Sequence, residues 1–295
     1  MKLLCIGKSG QVARALAERA AAQDMACATV GRPDVDLLRA DSLVSAIQIH
    51  KPDVVINAGA YTAVDAAETN RERAFLVNAD GAGALAAACA AMGVPLIHLS
   101  TDYVFDGHAD RPYRETDLPA PINVYGASKL AGEVAIREVT KQHIILRCSW
   151  VISPFGQNFV KTMLRLAKER GGASVVDDQI GSPTTAGDIA ETVFQVATKL
   201  VQPENQDLFG TYHYCSRGHA SWADVAELIF QVYQNRTNRK IELKRIPSSE
   251  YPTPARRPLN SRLETEKIER AFNVTPQDWT TSVTQIVTRL IDEGY

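Results

Sequence analysis

Lys2-Leu3-Leu4-Cys5-Ile6-Gly7-Lys8-Ser9-Gly10-Gln11-Val12-Ala13 is the stretch that decides the fold. Its first five residues read as a buried parallel strand, and the run breaks at once into a glycine turn. Beyond the turn, Val12, Leu16 and Ala20 recur on one face of a helix. A strand, a G-x-x-G-x-x-A turn and a helix form the opening of a dinucleotide-binding unit. Gly7, Ser9 and Gly10 would let backbone N–H groups approach a pyrophosphate at the positive helix end, and the small Ala13 permits close packing of helix on strand. A plain turn is the alternative, because glycines after strands are frequent. Its place at the very start of the chain favours the dinucleotide site.

The same alternation continues outward. Residues 25–30 read as a second strand, 53–57 as a third, 95–99 as a fourth and 143–147 as a fifth. Between them, Asp41 is expected to cap a helix reaching about His50, and residues 62–69 and 73–92 read as helical. This is an α/β chain with a Rossmann-type doubly wound parallel sheet over residues 1–150. After Trp150 the pattern changes. Helices are expected over Phe159–Arg170, Ala186–Leu200 and 221–233, short strands over 211–214 and 241–246, and two helices at the end. Residues 151–295 thus read mainly as a smaller α/β lobe closing over the carboxyl edge of the sheet, where ligands of open α/β sheets bind, with later returns of the chain to the sheet allowed.

Bulk properties exclude several classes. With 295 residues the chain can bury a large core, and a formal charge of −2 gives no sign of a nucleic-acid binder. Five scattered cysteines without a CxxC pair indicate a reducing cytosol, no disulfide framework and no zinc site. No signal peptide is evident, and the small-residue run 81–92 is shorter than the ~20 residues of a membrane span. A cytoplasmic location with no membrane partner is expected.

The chemistry centres on Tyr125 and Lys129, four apart. If Asn123 caps the helix that carries them, both project from one face. A lysine together with a cationic nicotinamide would lower the phenol pKa, a drop of roughly three units asking for about 4 kcal/mol. The Thr101 hydroxyl, just past the fourth strand, could hold a substrate oxygen against the phenol. Y-x-x-x-K also arises by chance on amphipathic helices. Arg32, after the second strand, suits a 2′-phosphate and so prefers NADPH to NADH. The alternative is a solvated arginine beside Asp34 and Asp36. Small residues at Ala58-Gly59-Ala60 would let their loop pass beneath a cofactor. Of Arg256 and Arg257, Arg257 is the better fork for a diphosphate, against a surface pair stiffened by prolines. His98 and His213 read as satisfied packing histidines.

Together the glycine turn, Ser100-Thr101-Asp102 and Tyr125-x-x-x-Lys129 resemble the extended short-chain dehydrogenase/reductases that act on nucleotide sugars. Asn57-Ala58-Gly59-Ala60-Tyr61-Thr62-Ala63-Val64-Asp65, Asn123-Val124-Tyr125-Gly126-Ala127-Ser128-Lys129, Arg147-Cys148-Ser149-Trp150-Val151, Asp178-Gln179-Ile180-Gly181-Ser182-Pro183-Thr184 and Arg257-Pro258-Leu259-Asn260-Ser261 are similar to the dTDP-4-dehydrorhamnose reductase family. The resemblance implies reduction of the 4-keto group of a dTDP-sugar by NAD(P)H, with Tyr125 as proton donor, Lys129 on the nicotinamide ribose and Thr101 on the carbonyl. It also implies sugar contacts from Asp102 and Trp150. Gly10, Gln11, Val12, Ala60, Tyr61 and Thr62 would line the cofactor, with Asp36 and Leu37 near the adenine.

Two departures from the family pattern, Ala66 within Asp65-Ala66-Ala67-Glu68 and Ile152 after Val151, are not expected to touch the chemistry. Mg²⁺ at a dimer contact is known among relatives, but Ala15 and the single Glu18 of the first helix offer no clear ligands. A monomer and a homodimer both remain open. A nucleotide-sugar epimerase or dehydratase is the nearest rival, although Asp102-Tyr103 lacks the adjacent Asp-Glu pair of dehydratases. A catalytically idle regulatory subunit of the same fold is the rival of another class.

Overall fold

The computed structural model describes residues 1–295, apart from the side chains of residues 203 and 206. β1 (Lys2–Ile6), β2 (Ala26–Val30), β3 (Val54–Asn57), β4 (Leu96–Thr101) and β5 (His143–Cys148) share one sheet with the strand Gly210–Tyr214. The order across it is Gly210–Tyr214, β5, β4, β3, β1, β2, and every pairing is parallel. From β1 the chain steps out to β2 and then crosses back to β3. The carboxyl ends of β1 and β3 therefore flank the point where the winding reverses, and ligands of such sheets bind there.

Alternation along each strand builds two core layers. Leu3 and Cys5 join Val54, Ile56, Ile97, Ile144 and Leu146 on one face, under α1 (Gln11–Ala22) and the helix Ala186–Leu200. Leu4 and Ile6 join Val55 and Leu96 on the other, under α2 (Ala40–His50) and later helices. Arg39, not Asp41, occupies the cap position of α2; Asp41 lies in its first turn, where a negative charge still favours the helix dipole.

α3 (Val64–Thr69) is followed by α4 (Arg71–Phe75), a π-helical turn over Leu76–Asp80, and α5 (Gly81–Ala91). The helical run Arg71–Ala91 is long and apolar enough, by length and composition, to cross a bilayer. Half of its most apolar window is buried in the protein, and it lies against α2 and α6 (Val124–Val139). It is longer than the small-residue run 81–92 because residues 71–80 continue the same helical run toward its start.

The second half contributes a separate core. Helices Phe159–Arg170, Trp222–Thr237 and Trp279–Asp292 pack with Trp150 and Ile152 and with the paired strands Gly172–Val176 and Glu242–Ile246. The helix Ala186–Leu200, the strand Gly210–Tyr214 and the helix Glu266–Phe272 belong instead to the Rossmann layers, where Ile268 and Phe272 join the α1 side.

Candidate active site

Helix α6 is fixed at its start from three directions. The Asn123 side chain accepts the Gly126 N–H at 2.7 Å and donates to the Arg256 carbonyl at 2.8 Å. Glu68 of α3 accepts the Val124 N–H at 2.8 Å. The helix also lies unusually close to its neighbours. A Cβ on Gly126 would stand 2.0 Å from the Tyr103 carbonyl oxygen, and one on Gly132 would stand 2.0 Å from that of Asn78. Only glycine allows this approach. Tyr125 and Lys129, between these glycines, are thereby brought down onto the end of β4.

The half-buried Tyr125 ring lies edge-on to Tyr103, with centroids 5.9 Å apart. Burial holds its phenol above the usual tyrosine range, and the Thr101 hydroxyl beside it works in the opposite direction. Among the protein's own groups the expected lowering by Lys129 is not found. The lysine Nζ is turned instead to the Leu99 carbonyl at 2.7 Å and to His98 Nε2 at 3.1 Å. Burial lowers Lys129 to about 8, while Glu133 acts to raise it.

Thr101 donates to Asp102 Oδ1 at 3.0 Å and accepts the Tyr103 N–H at 3.1 Å. Asp102 is buried, its Oδ2 has no partner among the described residues, and burial pushes its carboxyl up to about 6. Behind this row, Glu133 receives Ser100 Oγ at 2.6 Å and Arg147 at 2.9 and 2.7 Å, tying α6 to β4 and β5.

On the cofactor side, Gly7 has φ +137°, its N–H meets the Val30 carbonyl at 2.7 Å, and a Cβ there would lie 3.1 Å from the Ala58 backbone. Gly10 caps α1 without any side-chain bond, and no acid occupies the first turn, so Ser9, Gly10 and the first N–H groups present an uncompensated positive helix end. Gln11 does more than line this turn. Its Oε1 accepts Ser153 Oγ at 2.8 Å and Asn158 Nδ2 at 3.1 Å, linking the turn to the second half; Val12, next to it, packs against the core. Arg32 is exposed and has no hydrogen-bond or ion-pair partner among the described residues. Asp36 is turned to the Leu38 N–H. Leu37 packs beneath Gly59 and Gly81.

The loop Ala60-Tyr61-Thr62 is held at Tyr61 by Asn78, a residue the sequence reading missed. Its amide takes the Tyr61 N–H at 2.7 Å and donates to the Tyr61 carbonyl at 3.1 Å and to Ser128 Oγ at 2.9 Å. The π turn aims this side chain at both loop and catalytic helix, as such turns often do at functional sites.

A cavity of about 340 Å³ opens beside Tyr103, lined also by Phe159, Gln179, Trp222, Tyr251 and Arg257. Trp150 is not in this lining. It is buried in a left-handed conformation (φ +46°), stacked on Trp222 at 3.6 Å between centroids and packed on Gly181, where a Cβ would come within 2.4 Å of its ring. Trp222, unremarked in the sequence, carries the indole at the cavity. Arg257 is gripped by Asp65 at 3.0 and 2.8 Å, and Asp65 also takes the Ala255 N–H at 3.2 Å. Asp65 and Glu68 thus connect the arginine of the cavity to the start of α6. The motif that holds them touches the site after all, although Ala66 itself does not. Among the described residues no three His, Cys, Asp or Glu side chains cluster as a cation site, and Glu18 pairs with Arg289 at 2.8 Å.

A winding reversal with a glycine turn, and a Thr-Tyr-Lys cluster at its carboxyl edge, define a Rossmann-type oxidoreductase. The family described as the RmlD substrate binding domain matches residues 1–291. The dTDP-4-dehydrorhamnose reductase of Sinorhizobium fredii is 48% identical over 294 residues, covering 100% of this chain and 99% of that one. The Escherichia coli K12 reductase of the same name is 41% identical, with 98% of each chain covered. The crystal structure of the Bacillus anthracis dTDP-4-dehydrorhamnose reductase in complex with NADP superposes with a TM-score of 0.88 at 34% identity, covering 99% of this chain and 100% of that one. The chain belongs to the dTDP-4-dehydrorhamnose reductase family.

Proposed function

We propose that this protein reduces the C4 ketone of dTDP-4-dehydro-β-L-rhamnose with NAD(P)H, giving dTDP-β-L-rhamnose. The observation that carries the reading is the Thr101 hydroxyl beside the half-buried Tyr125 phenol, whose ring meets Tyr103 edge-on at the wall of a cavity that also holds Trp222 and Arg257. The nicotinamide supplies hydride when bound. Thr101 and Tyr125 hold the C4 oxygen, and Tyr125 gives it a proton as charge develops. A phenol kept above its usual range remains the acid at neutral pH, and Lys129, one turn on along the same helix, would hold the nicotinamide ribose as the ammonium. Arg257, set in place by Asp65, faces the diphosphate with its remaining N–H groups. Trp222 and Phe159 offer apolar faces to the sugar, and Asp102, its carboxyl buried behind the site, orients the Thr101 hydroxyl that donates to it. Gly7, Ser9 and Gly10 receive the pyrophosphate of the cofactor, with Val12, Ala60, Tyr61 and Thr62 around it. The unpaired Arg32 favours NADPH over NADH. We place the enzyme in the cytoplasm, as a monomer or homodimer.

The test is oxidation of NADPH and of NADH in the presence of dTDP-4-dehydro-L-rhamnose, repeated with Tyr125→Phe. The variant should lose on the order of 10²–10⁴ in kcat. No oxidation of either cofactor by the wild type overturns the reaction; an undiminished rate in the variant overturns the proton donor alone. Arg32→Ala should weaken NADPH while sparing NADH.

A further inference from the structure

Beneath the Tyr125–Lys129 pair, three buried polar side chains form a line across three elements. Lys129 reaches down from α6, His98 lies in the middle of β4, and Asn57 ends β3; each is 1–2% exposed. Lys129 Nζ is 3.1 Å from His98 Nε2, His98 Nδ1 is 3.0 Å from Asn57 Nδ2, and Asn57 Oδ1 accepts the Gly59 N–H at 3.1 Å. Gly59 belongs to the loop that continues through Ala60 and Tyr61.

A neutral imidazole carries one N–H and one lone pair, so the two ends of this line are not independent. With Asn57 Oδ1 on Gly59, its NH₂ points at His98; Nδ1 then accepts and Nε2 bears the hydrogen. An Nε2–H facing Lys129 needs a neutral amine to receive it. An ammonium instead donates to Nε2, which moves the hydrogen to Nδ1 and asks Asn57 to turn its carbonyl inward, setting its NH₂ against the Gly59 N–H. The imidazolium is disfavoured in both arrangements, because burial, Lys129 and His143 of β5 all hold His98 well below the usual histidine range.

We propose that His98 is a positioning residue for Lys129: a neutral imidazole whose tautomer switches with the protonation of the lysine and transmits that state through Asn57 to the loop after β3. The proposal rests on the reading of Lys129 as part of the reduction site. Between the two arrangements the net change is one proton, lost from the lysine–imidazole pair. The other groups facing the pair do not share that change. Glu133 on α6 is held ionised by Arg147, the Cys148 thiol on β5 is pushed up by burial, and His143 is lowered by burial. Lys129, at about 8, is the group that titrates.

The experiment is ¹⁵N NMR of the full-length protein labelled in histidine, from pH 6 to pH 10, with the His98 signals identified by their loss in His98→Gln. The His98 nitrogens should exchange character, Nδ1 from pyrrole-like to pyridine-like and Nε2 the reverse, with one midpoint, and Lys129→Met should abolish the exchange. In activity, His98→Gln presents an amide whose carbonyl accepts from the ammonium without any change of tautomer. The alkaline limb of kcat should therefore move up by about one pH unit, leaving roughly tenfold more of the maximal kcat above the limb. A merely structural His98 would scale kcat equally at all pH values. Nitrogen shifts that stay constant, or that move together as in an ordinary imidazolium titration, would overturn the proposal. The NMR readout needs no substrate, so its outcome stands apart from the reaction assignment.

Discussion

Glu133→Ala should cost this protein about 3–5 kcal/mol of stability, as expected when one partner of a buried ion pair is removed. The carboxylate is 0% exposed and Arg147 is 3% exposed. Removal leaves the guanidinium beside His213 Nε2 at 3.4 Å and the Phe105 ring at 5.1 Å, neither of which neutralises it, while the Glu115 carboxylate acts on it through space without a hydrogen bond. Against a total of about 5–15 kcal/mol, that is a large share. Urea unfolding should show a lower midpoint with an unchanged slope. Because most of the loss comes from the stranded charge, Arg147→Met in the Glu133→Ala background should recover at least about 2 kcal/mol. The pH dependence has a definite sign. Burial raises the Glu133 carboxyl, but Arg147 and Ser100 outweigh it and hold it below the usual range. A depressed carboxylate contributes stability above its unfolded pKa of about 4.3 and loses it as pH falls through the folded value. The wild-type advantage should be full at pH 7 and shrink below about pH 4. Additive single and double variants, within about 0.5 kcal/mol, would refute the argument.

Other outcomes follow from the same geometry. Gly126→Ala should cost about 3 kcal/mol or more and depress kcat, whereas Gly83→Ala, whose Cβ would meet only the Ala135 methyl at 3.2 Å, should cost far less; urea midpoints and initial rates measure both. Asp102→Asn should stabilise the protein by about 2 kcal/mol at pH 8, because a carboxyl raised to about 6 weakens the fold as pH climbs from about 4 to 6. Thermal midpoints across that range test this, and a difference independent of pH would contradict it. Asp65→Asn removes the grip on Arg257 and should raise KM for the nucleotide sugar about tenfold while changing kcat much less. Equal losses in both parameters would mean that Asp65 acts on the chemistry instead.

The pieces of the site that local chemistry controls were legible in the chain. Asn123 was expected to cap the catalytic helix and does, because a side-chain oxygen one residue before a helix start reaches an orphan N–H without help from the rest of the fold. Asn78, Trp222 and Asp65 were not seen in their roles. Each acts across 17 to 192 positions of sequence or through a stacking partner brought up by another element, and no local pattern marks that. Trp150 and Trp222 illustrate the limit: both are indoles, and only packing decides which one lines the cavity.

Strand-like runs alternating with helical ones after a glycine turn were enough to indicate a parallel α/β sheet, because those signals depend on neighbours a few residues apart, whereas the strand order that sets the winding reversal came only from long-range pairing. The charge states were decided by tertiary structure alone. Burial holds Tyr125 up and Lys129 down, points the lysine at His98 rather than at the phenol, and leaves Asp102 with an unpartnered oxygen. Desolvation depends on everything packed around a group, so a spacing that names an acid and its lysine does not say how either will titrate.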